Sequence, residues 1–219
     1  MIAAPERSPE RDAAIEATLA HVPFDGWTPT ALHRGLASLG ADPAEARLLF
    51  PGGAADMIEA WCDLEDRRMA EAMAAPALAG LRLSGRVRAA IALRLARSRG
   101  RKEAARRALG ELALPGRAAV AAACTARTVD AIWHAAGDRA ADMSWYSKRA
   151  TLAAVYTATV LFWLHDTSED DAATLAFLDR RLAGVGRIGK LRARLTGGVH
   201  RLVPMARGES APQPGADAA

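Results

Sequence analysis

The sequence predicts an all-α protein. Alanine and leucine dominate the composition and β-branched residues are sparse, a mixture that favours helices. Apolar residues recur at helical spacing along the chain, whereas no stretch alternates as a β-strand would. The chain has 219 residues, of which 51% are hydrophobic, so it is long enough to bury one full core with a small appendage.

The first fifty residues predict a short tail and a three-helix region. Residues 1–9 are expected to be disordered, and residues 10–50 contain cap and turn signals for three short helices. These helices are expected to run from Glu10 to His21, from Thr28 or Thr30 to Gly40, and from Asp42-Pro43 to Phe50.

Three short helices followed by a longer one, here ending near Ala75, resemble the start of the TetR-type transcriptional regulators. In such proteins the third helix enters the DNA major groove with base-reading and phosphate-binding side chains. Here that helix offers Asp42, Glu45 and a single Arg47, and the carboxylates would oppose contact with phosphates. We therefore predict that the chain binds no nucleic acid. A TetR-type regulator that binds a hydrophobic ligand is kept as the alternative function.

Residues 51–183 are predicted to form a second, larger helical region with unevenly placed charge. The net charge is only +4, yet residues 52–75 are acidic and residues 86–107 are strongly basic. The arginine-rich run predicts a solvated cationic face or, alternatively, a contact for anionic lipid or an acidic partner.

The end of this region contains an uncharged run, Ala150 to Leu164, which predicts a buried helix. After it, Asp166-Thr167-Ser168 and the acids that follow predict the capped start of another helix. Within the uncharged run, one apolar stripe contains Leu152, Tyr156, Thr159 and Trp163, and Trp145 extends that stripe backwards.

The aromatic pair Trp145 and Tyr146 is the strongest candidate for a binding surface. Adjacent helical residues point about 100° apart, so one helix cannot bury both rings on one core face. Tyr146 is left outside the stripe, next to Lys148 and Arg149. An aromatic ring among cations away from the core is typical of protein-binding surfaces.

The C-terminal part predicts an amphipathic basic helix over residues 184–203, followed by a disordered tail over residues 204–219. An apolar face with a cationic back is typical of a helix that lies on a membrane surface. The alternative is a helix that docks on the protein core or on a dimer mate. The residues predicted to contact the membrane are Arg187, Ile188, Lys190, Leu191, Arg194, Leu195, Arg201 and Leu202.

The motifs of common enzymes are absent from the sequence. It contains no phosphate-binding loop, no dinucleotide-binding glycines and no nucleophile elbow, so we predict no enzymatic activity and no cofactor. Asp130 and His134 are four residues apart but lack a third ligand, so no metal site is predicted. Cys62 and Cys124 form no paired motif, and no leader or spanning segment is recognisable. We therefore expect a cytoplasmic protein that is soluble or peripheral to a membrane.

The segment from about residue 85 to residue 181 resembles a known family, the accessory lipid-binding family of ubiquinone biosynthesis, that is, the ninth Coq protein and its alphaproteobacterial relatives. The matching motifs are Val129-Asp130-Ala131-Ile132-Trp133-His134, Asp142-x-x-Trp145-Tyr146-x-Lys148-Arg149-Ala150, and Asp166-x-Ser168-x-Asp170. Before residue 85 the resemblance extends to the fold alone.

The resemblance implies a TetR-like helical fold that has lost DNA binding, a homodimer, and a peripheral location on the cytoplasmic face of a bacterial inner membrane. It implies an apolar cavity for an isoprenoid quinone precursor or a phospholipid within residues 51–183. It also implies docking of a di-iron demethoxyubiquinone hydroxylase on Trp145, Tyr146, Lys148 and Arg149. The residues expected to line the cavity are Met69, Met73, Leu93, Trp133, Tyr156, Phe162 and Phe177.

Overall fold

The computed structural model describes residues 4–138 and 144–185, apart from the side chains of residues 144 and 145. Every regular element within these ranges is helical, so the all-α prediction is confirmed. The chain divides into two units, Met1–Leu182 and Ala183–Ala219, and the contacts described below belong to the first. Within the described ranges, no helix is both long and apolar enough to cross a bilayer.

Ten α-helices lie within the described ranges. They are α1 (Pro9–Leu19), α2 (Val22–Asp25), α3 (Pro29–Ser38), α4 (Ala46–Leu49), α5 (Ala54–Met73), α6 (Leu83–Arg97), α7 (Lys102–Leu112), α8 (Ala118–Ala136), α9 (Ser144–Trp163) and α10 (residues 172–185). Short 3-10 turns precede α4, α7 and α10, at Pro43–Glu45, Arg99–Arg101 and Glu169–Asp171.

The N-terminal region contains α1, α3 and α4 near the three predicted helices, and a further short helix, α2, lies between the first two. Ser8 caps α1 and Thr28 caps α3, and Ile15 on α1 is fully buried. A Cβ added at Gly35 on α3 would lie 2.7 Å from the backbone nitrogen of Thr18. Only glycine therefore allows α1 and α3 to approach this closely.

The buried Arg11 connects this region to the long helix α5. Its Nη2 lies 2.5 Å from Oδ1 of Asp56, its Nη1 donates to the carbonyl of Leu49, and its guanidinium lies 4.4 Å from the centre of the Phe50 ring. The turn between α4 and α5 is thus tied to α1 by one side chain.

The acidic and basic segments of the sequence face each other. Arg94 on α6 is paired with Asp66 on α5, and Arg101 lies 3.2 Å from the buried Glu65. Arg88 is paired with Asp179. Arg94 is thus buried and paired within the chain, whereas Arg88 keeps 39% of its side chain exposed, as a solvated face would. A contact of the arginine-rich run with anionic lipid or an acidic partner stays a prediction.

The apolar stripe predicted on α9 is confirmed. Leu152, Tyr156, Thr159 and Trp163 are all buried, with Thr159 fully inaccessible. The predicted cap that follows is confirmed as well. Asp166 accepts hydrogen bonds from the backbone nitrogen and hydroxyl of Ser168 and from the same two groups of Thr174.

Candidate functional site

A cavity of about 320 Å³ lies between α5, α6, α7, α8 and α9. This volume is at the lower end of the range for small-molecule sites. Its wall is largely apolar and includes several alanines, whose small side chains leave the space open. The apolar and small lining residues are Ile58, Trp61, Leu95, Ala105, Ala108, Leu109, Leu112, Ala113, Ala121, Val160, Leu161 and Trp163.

One part of the wall is polar. Arg94 Nε lies 2.6 Å from Asp66 Oδ1, and Oγ1 of Thr128 donates to the other oxygen of that carboxylate at 2.8 Å. The Arg94 guanidinium lies 5.5 Å from the centre of the Tyr156 ring. Burial raises the pKa of Asp66, while Arg94 and Thr128 act in the opposite direction. Burial also raises the pKa of the Tyr156 hydroxyl, so this group stays neutral.

Two thiols and a buried carboxylate complete the polar lining. Both cysteines are free, and the neighbouring Cys124 together with burial raises the pKa of Cys62. Against the effect of burial, the neighbouring Cys62 and Arg127 lower the pKa of Cys124, and Nη2 of Arg127 lies 3.5 Å from its sulfur. Glu65 accepts from Ser98 at 3.4 Å, so its charge is shared with a hydroxyl and with Arg101.

The residues that we predicted to line a lipid cavity are spread over the structure. Tyr156 lines the cavity described above, and Leu93 lines a second one of about 300 Å³ near α10. The others lie outside both linings: Met69 and Met73 are buried in the core, Trp133 is half-buried, and Phe162 stacks on Phe177 with ring centres 4.6 Å apart. Lipid binding by any of the seven stays a prediction.

Sequence reasoning missed most of the cavity wall. Arg94 and Asp66 were assigned to charged segments, and Ala105 and Ala121 carry no signal that marks them as lining residues. A charged pair at positions that face the core of two adjacent helices is the one clue that helical periodicity could have given.

Of the predicted docking residues, one is well exposed and two form ion pairs within the chain. Tyr146 is 73% exposed, in agreement with its place outside the stripe. The side chain of Trp145 is not among those that the structure describes. Lys148 Nζ lies 3.5 Å from Asp138, and Arg149 is paired with Asp130 on α8. Arg149 therefore also connects α9 to α8, and Lys148 connects α9 to Asp138, just past the end of α8. Their role in binding a partner stays a prediction.

Two further expectations concern the predicted membrane-contact residues and a metal site. The eight residues predicted to contact a membrane, from Arg187 to Leu202, lie outside the described residues. Among residues 4–138 and 144–185, no group of three or more histidine, cysteine, aspartate or glutamate side chains is arranged to hold a metal ion.

The helical architecture defines a TetR-like fold, with a largely apolar cavity among α5, α6, α7, α8 and α9. A crystal structure of the TetR transcriptional regulator from Nitrosomonas europaea superposes on it with a TM-score of 0.66 and 26% identity, over 80% of this chain and 97% of that one. A profile of the COQ9 family matches residues 118–189.

Curated relatives agree with that profile. COQ9-A of Xenopus laevis is 32% identical over 80% of this chain and 57% of its own length, and COQ9 of Homo sapiens is 31% identical over 80% and 57%. The coq9 protein of Schizosaccharomyces pombe is 31% identical over 81% of this chain and 70% of its own. The chain therefore belongs to the COQ9 family. It spans a little under three fifths of the length of the two vertebrate relatives.

Proposed function

We propose that the chain is an accessory protein of ubiquinone biosynthesis that binds an isoprenoid quinone precursor and presents it to the demethoxyubiquinone hydroxylase. The observation that supports this function best is the apolar cavity. Part of its wall lies on α8 and α9, within the segment that matches the COQ9 family. The relatives are named ubiquinone biosynthesis proteins, which supports the pathway.

The physical task of such a protein is to move an apolar molecule toward a soluble enzyme. Each CH₂ group taken out of a bilayer into water costs about 0.8 kcal/mol, so a long isoprenoid tail does not leave the membrane unaided. A cavity of about 320 Å³ has room for a ring and the first part of a tail. The rest of the tail would stay in the bilayer while the ring is presented.

A cavity-filling variant tests this function. Ala121 lines the cavity, so Ala121→Phe places a ring in the space, whereas the neighbouring Ala122 is exposed and Ala122→Phe is the matched control. Lipid extracted from the purified proteins is identified by mass spectrometry. We expect an isoprenoid quinone precursor or a phospholipid with the original chain and with the control, and little with Ala121→Phe. Equal lipid in all three proteins, or none in any, would contradict the proposal.

The membrane is proposed as the place where the ligand is collected. The apolar and cationic composition of residues 184–203 supports a peripheral location. A chain that ends at residue 183 is expected to lose sedimentation with vesicles that contain anionic lipid, and unchanged sedimentation would contradict the membrane role.

A homodimer is also proposed, on the family resemblance. Sedimentation equilibrium of the purified chain is expected to give twice the monomer mass of 23.1 kDa. A monomer mass throughout the micromolar range would contradict it.

The likeness to a TetR regulator supports a second candidate function, a transcriptional regulator that binds a hydrophobic ligand. The short α4 argues against it, because only Arg47 offers a cation there beside the exposed Asp42 and Glu45. A mobility-shift assay with the DNA upstream of the gene tests this alternative. A salt-sensitive, sequence-specific shift would favour the regulator over the accessory protein.

A further inference from the structure

The two cysteines of the chain meet where α5 packs on α8. The two helices are in direct contact, and the hydroxyl of Thr128 on α8 donates to the carboxylate of Asp66 on α5 at 2.8 Å. Residues four positions apart lie above one another on the same face of a helix. Cys62 and Cys124 each precede one member of that pair by four residues, so they occupy the neighbouring turn of the same interface. Both thiols are free, and both border the cavity.

This placement suits a disulfide bond between the two helices. The axes of packed helices lie about 8–10 Å apart and their Cα atoms lie about 2.3 Å from each axis, so facing residues bring their Cα atoms within the roughly 4.4–6.8 Å that a disulfide spans. The thiols also border an open space, and Cys62 is only half-buried. A small oxidant that enters the cavity therefore reaches sulfur, whereas a thiol packed on every side is inert.

The surroundings of the two thiols differ. Nη2 of Arg127 lies 3.5 Å from Sγ of Cys124, and the same nitrogen lies 2.6 Å from Oε1 of Glu59, which helps to hold the guanidinium in place. The neighbouring Cys62 and Arg127 lower the pKa of Cys124 against the effect of burial. The neighbouring Cys124 and burial raise the pKa of Cys62. Since the thiolate is the form that attacks an oxidant, Cys124 is suited to react first and Cys62 to follow it.

We propose that Cys62 and Cys124 form a peroxide-sensitive thiol pair that closes reversibly to a disulfide between α5 and α8. The thiolate of Cys124 attacks one oxygen of hydrogen peroxide, the O–O bond breaks, and the leaving oxygen takes up a proton to become water. The sulfur of Cys62 then attacks the sulfenic acid on Cys124, the S–O bond breaks, and the hydroxide leaves as a second water with the proton of the Cys62 thiol. Two thiols are oxidised by two electrons and the peroxide is reduced by two. An external dithiol reverses the change by thiol–disulfide exchange.

This inference goes beyond the proposed function and does not rest on it, because it needs the cavity only as a path for the oxidant. Titration of the reduced full chain with hydrogen peroxide tests it. Thiols are counted after denaturation, and peptides prepared without reductant are identified by mass spectrometry. We expect both thiols to disappear together, a disulfide to join residues 62 and 124 within one chain, and dithiothreitol to restore both thiols.

Single substitutions separate the roles of the two cysteines. In Cys62→Ser the sulfenic acid formed on Cys124 has no second thiol to react with, so dimedone should label it. In Cys124→Ser the remaining Cys62 should be labelled at least about fivefold more slowly, because less of it is thiolate. Circular dichroism melts show that the fold is kept. Cys62→Ala and Cys124→Ala serve in place of a serine variant that folds poorly.

Access through the cavity is tested by filling it. Ala121 borders the cavity, so Ala121→Phe narrows the space beside both thiols, whereas Ala122 is exposed and Ala122→Phe is the matched control. We expect Ala121→Phe to slow disulfide formation at least about threefold, as less of the thiol surface is accessible, and Ala122→Phe to leave the rate unchanged.

Several results would overturn the assignment. Thiols that stay reduced under peroxide, sulfinic products in place of a disulfide, or disulfides that join two chains would each exclude the pair. Faster labelling of Cys62 than of Cys124 would reject the proposed order of reaction. Equal rates in Ala121→Phe and Ala122→Phe would reject access through the cavity. Lipid binding is measured separately, on lipid extracted from the protein, so the proposed function stands or falls without these results.

Discussion

Arg94 and Asp66 face each other across α6 and α5 inside the cavity wall, with Nε of the guanidinium 2.6 Å from Oδ1 of the carboxylate. Both side chains are almost fully buried, and the carboxylate accepts a further hydrogen bond from Thr128. The charged segments of the sequence thus become a structural connection between helices. The same pair places a donor beside the space that a ligand would fill.

Removal of Arg94 should destabilise the protein strongly. In Arg94→Ala the buried Asp66 loses its charge partner, which is expected to cost about 3–5 kcal/mol of unfolding free energy. Arg88→Ala is the control on the same helix, since Arg88 and Asp179 are both substantially exposed, and a change below about 1 kcal/mol is expected. Urea denaturation measures both values. Similar small losses in the two variants would show that the buried pair adds little.

The cap at the start of α10 should make stability depend on pH. Although burial opposes it, hydrogen bonds from Ser168 and Thr174 hold the pKa of Asp166 well below its ordinary value. A carboxyl whose pKa is lower in the folded state stabilises it fully above the pKa of the unfolded chain, about 3.9, and loses that effect as the pH falls toward the folded pKa.

Asp166→Asn should therefore lower the free energy of unfolding by about 1 kcal/mol at pH 7, the usual contribution of a helix cap. This loss should shrink at pH 2.5. Unfolding free energies at the two pH values measure it. Glu169→Gln is the control, because Glu169 is exposed and makes no side-chain cap bond. A constant difference at both pH values would contradict a role for the ionised carboxylate.

Arg149 and Asp130 should show energetic coupling. The pair connects α9 to α8 and is partly buried, so a double-mutant cycle with Arg149→Ala and Asp130→Ala is expected to give about 1 kcal/mol of interaction. Thermal or urea unfolding of the four proteins measures it. Additive effects of the two substitutions would show that the ion pair contributes nothing to the junction.

Tyr146→Ala should separate partner binding from stability. The ring is 73% exposed, so its removal is expected to change the melting temperature by less than about 2 °C while it abolishes co-purification with the hydroxylase. Phe24→Ala on α2 is the control, since that ring is 80% exposed and belongs to the N-terminal region. If Tyr146→Ala co-purified with the hydroxylase as well as the control did, the docking proposal would be wrong.

Much of the fold could be predicted from local signals. The stripe on α9, the cap at Asp166 and the position of Tyr146 outside the core all follow from helical periodicity and from the hydrogen bonds that a helix start requires. The family motifs around Trp133 and Arg149 predicted the family that the comparison then showed.

The sequence by itself determined the helical class, the core-facing stripe of α9 and the position of Tyr146 outside that stripe. Only the tertiary structure decided that the arginines of α6 are paired within the chain and that a cavity opens between α5 and α9. The physical reason is that periodicity gives the direction of a side chain from its own helix but not the residue it meets on another. A cavity, moreover, forms where the side chains of several helices together leave space unfilled. Ala105 and Ala121 border this cavity because their side chains are too small to fill it.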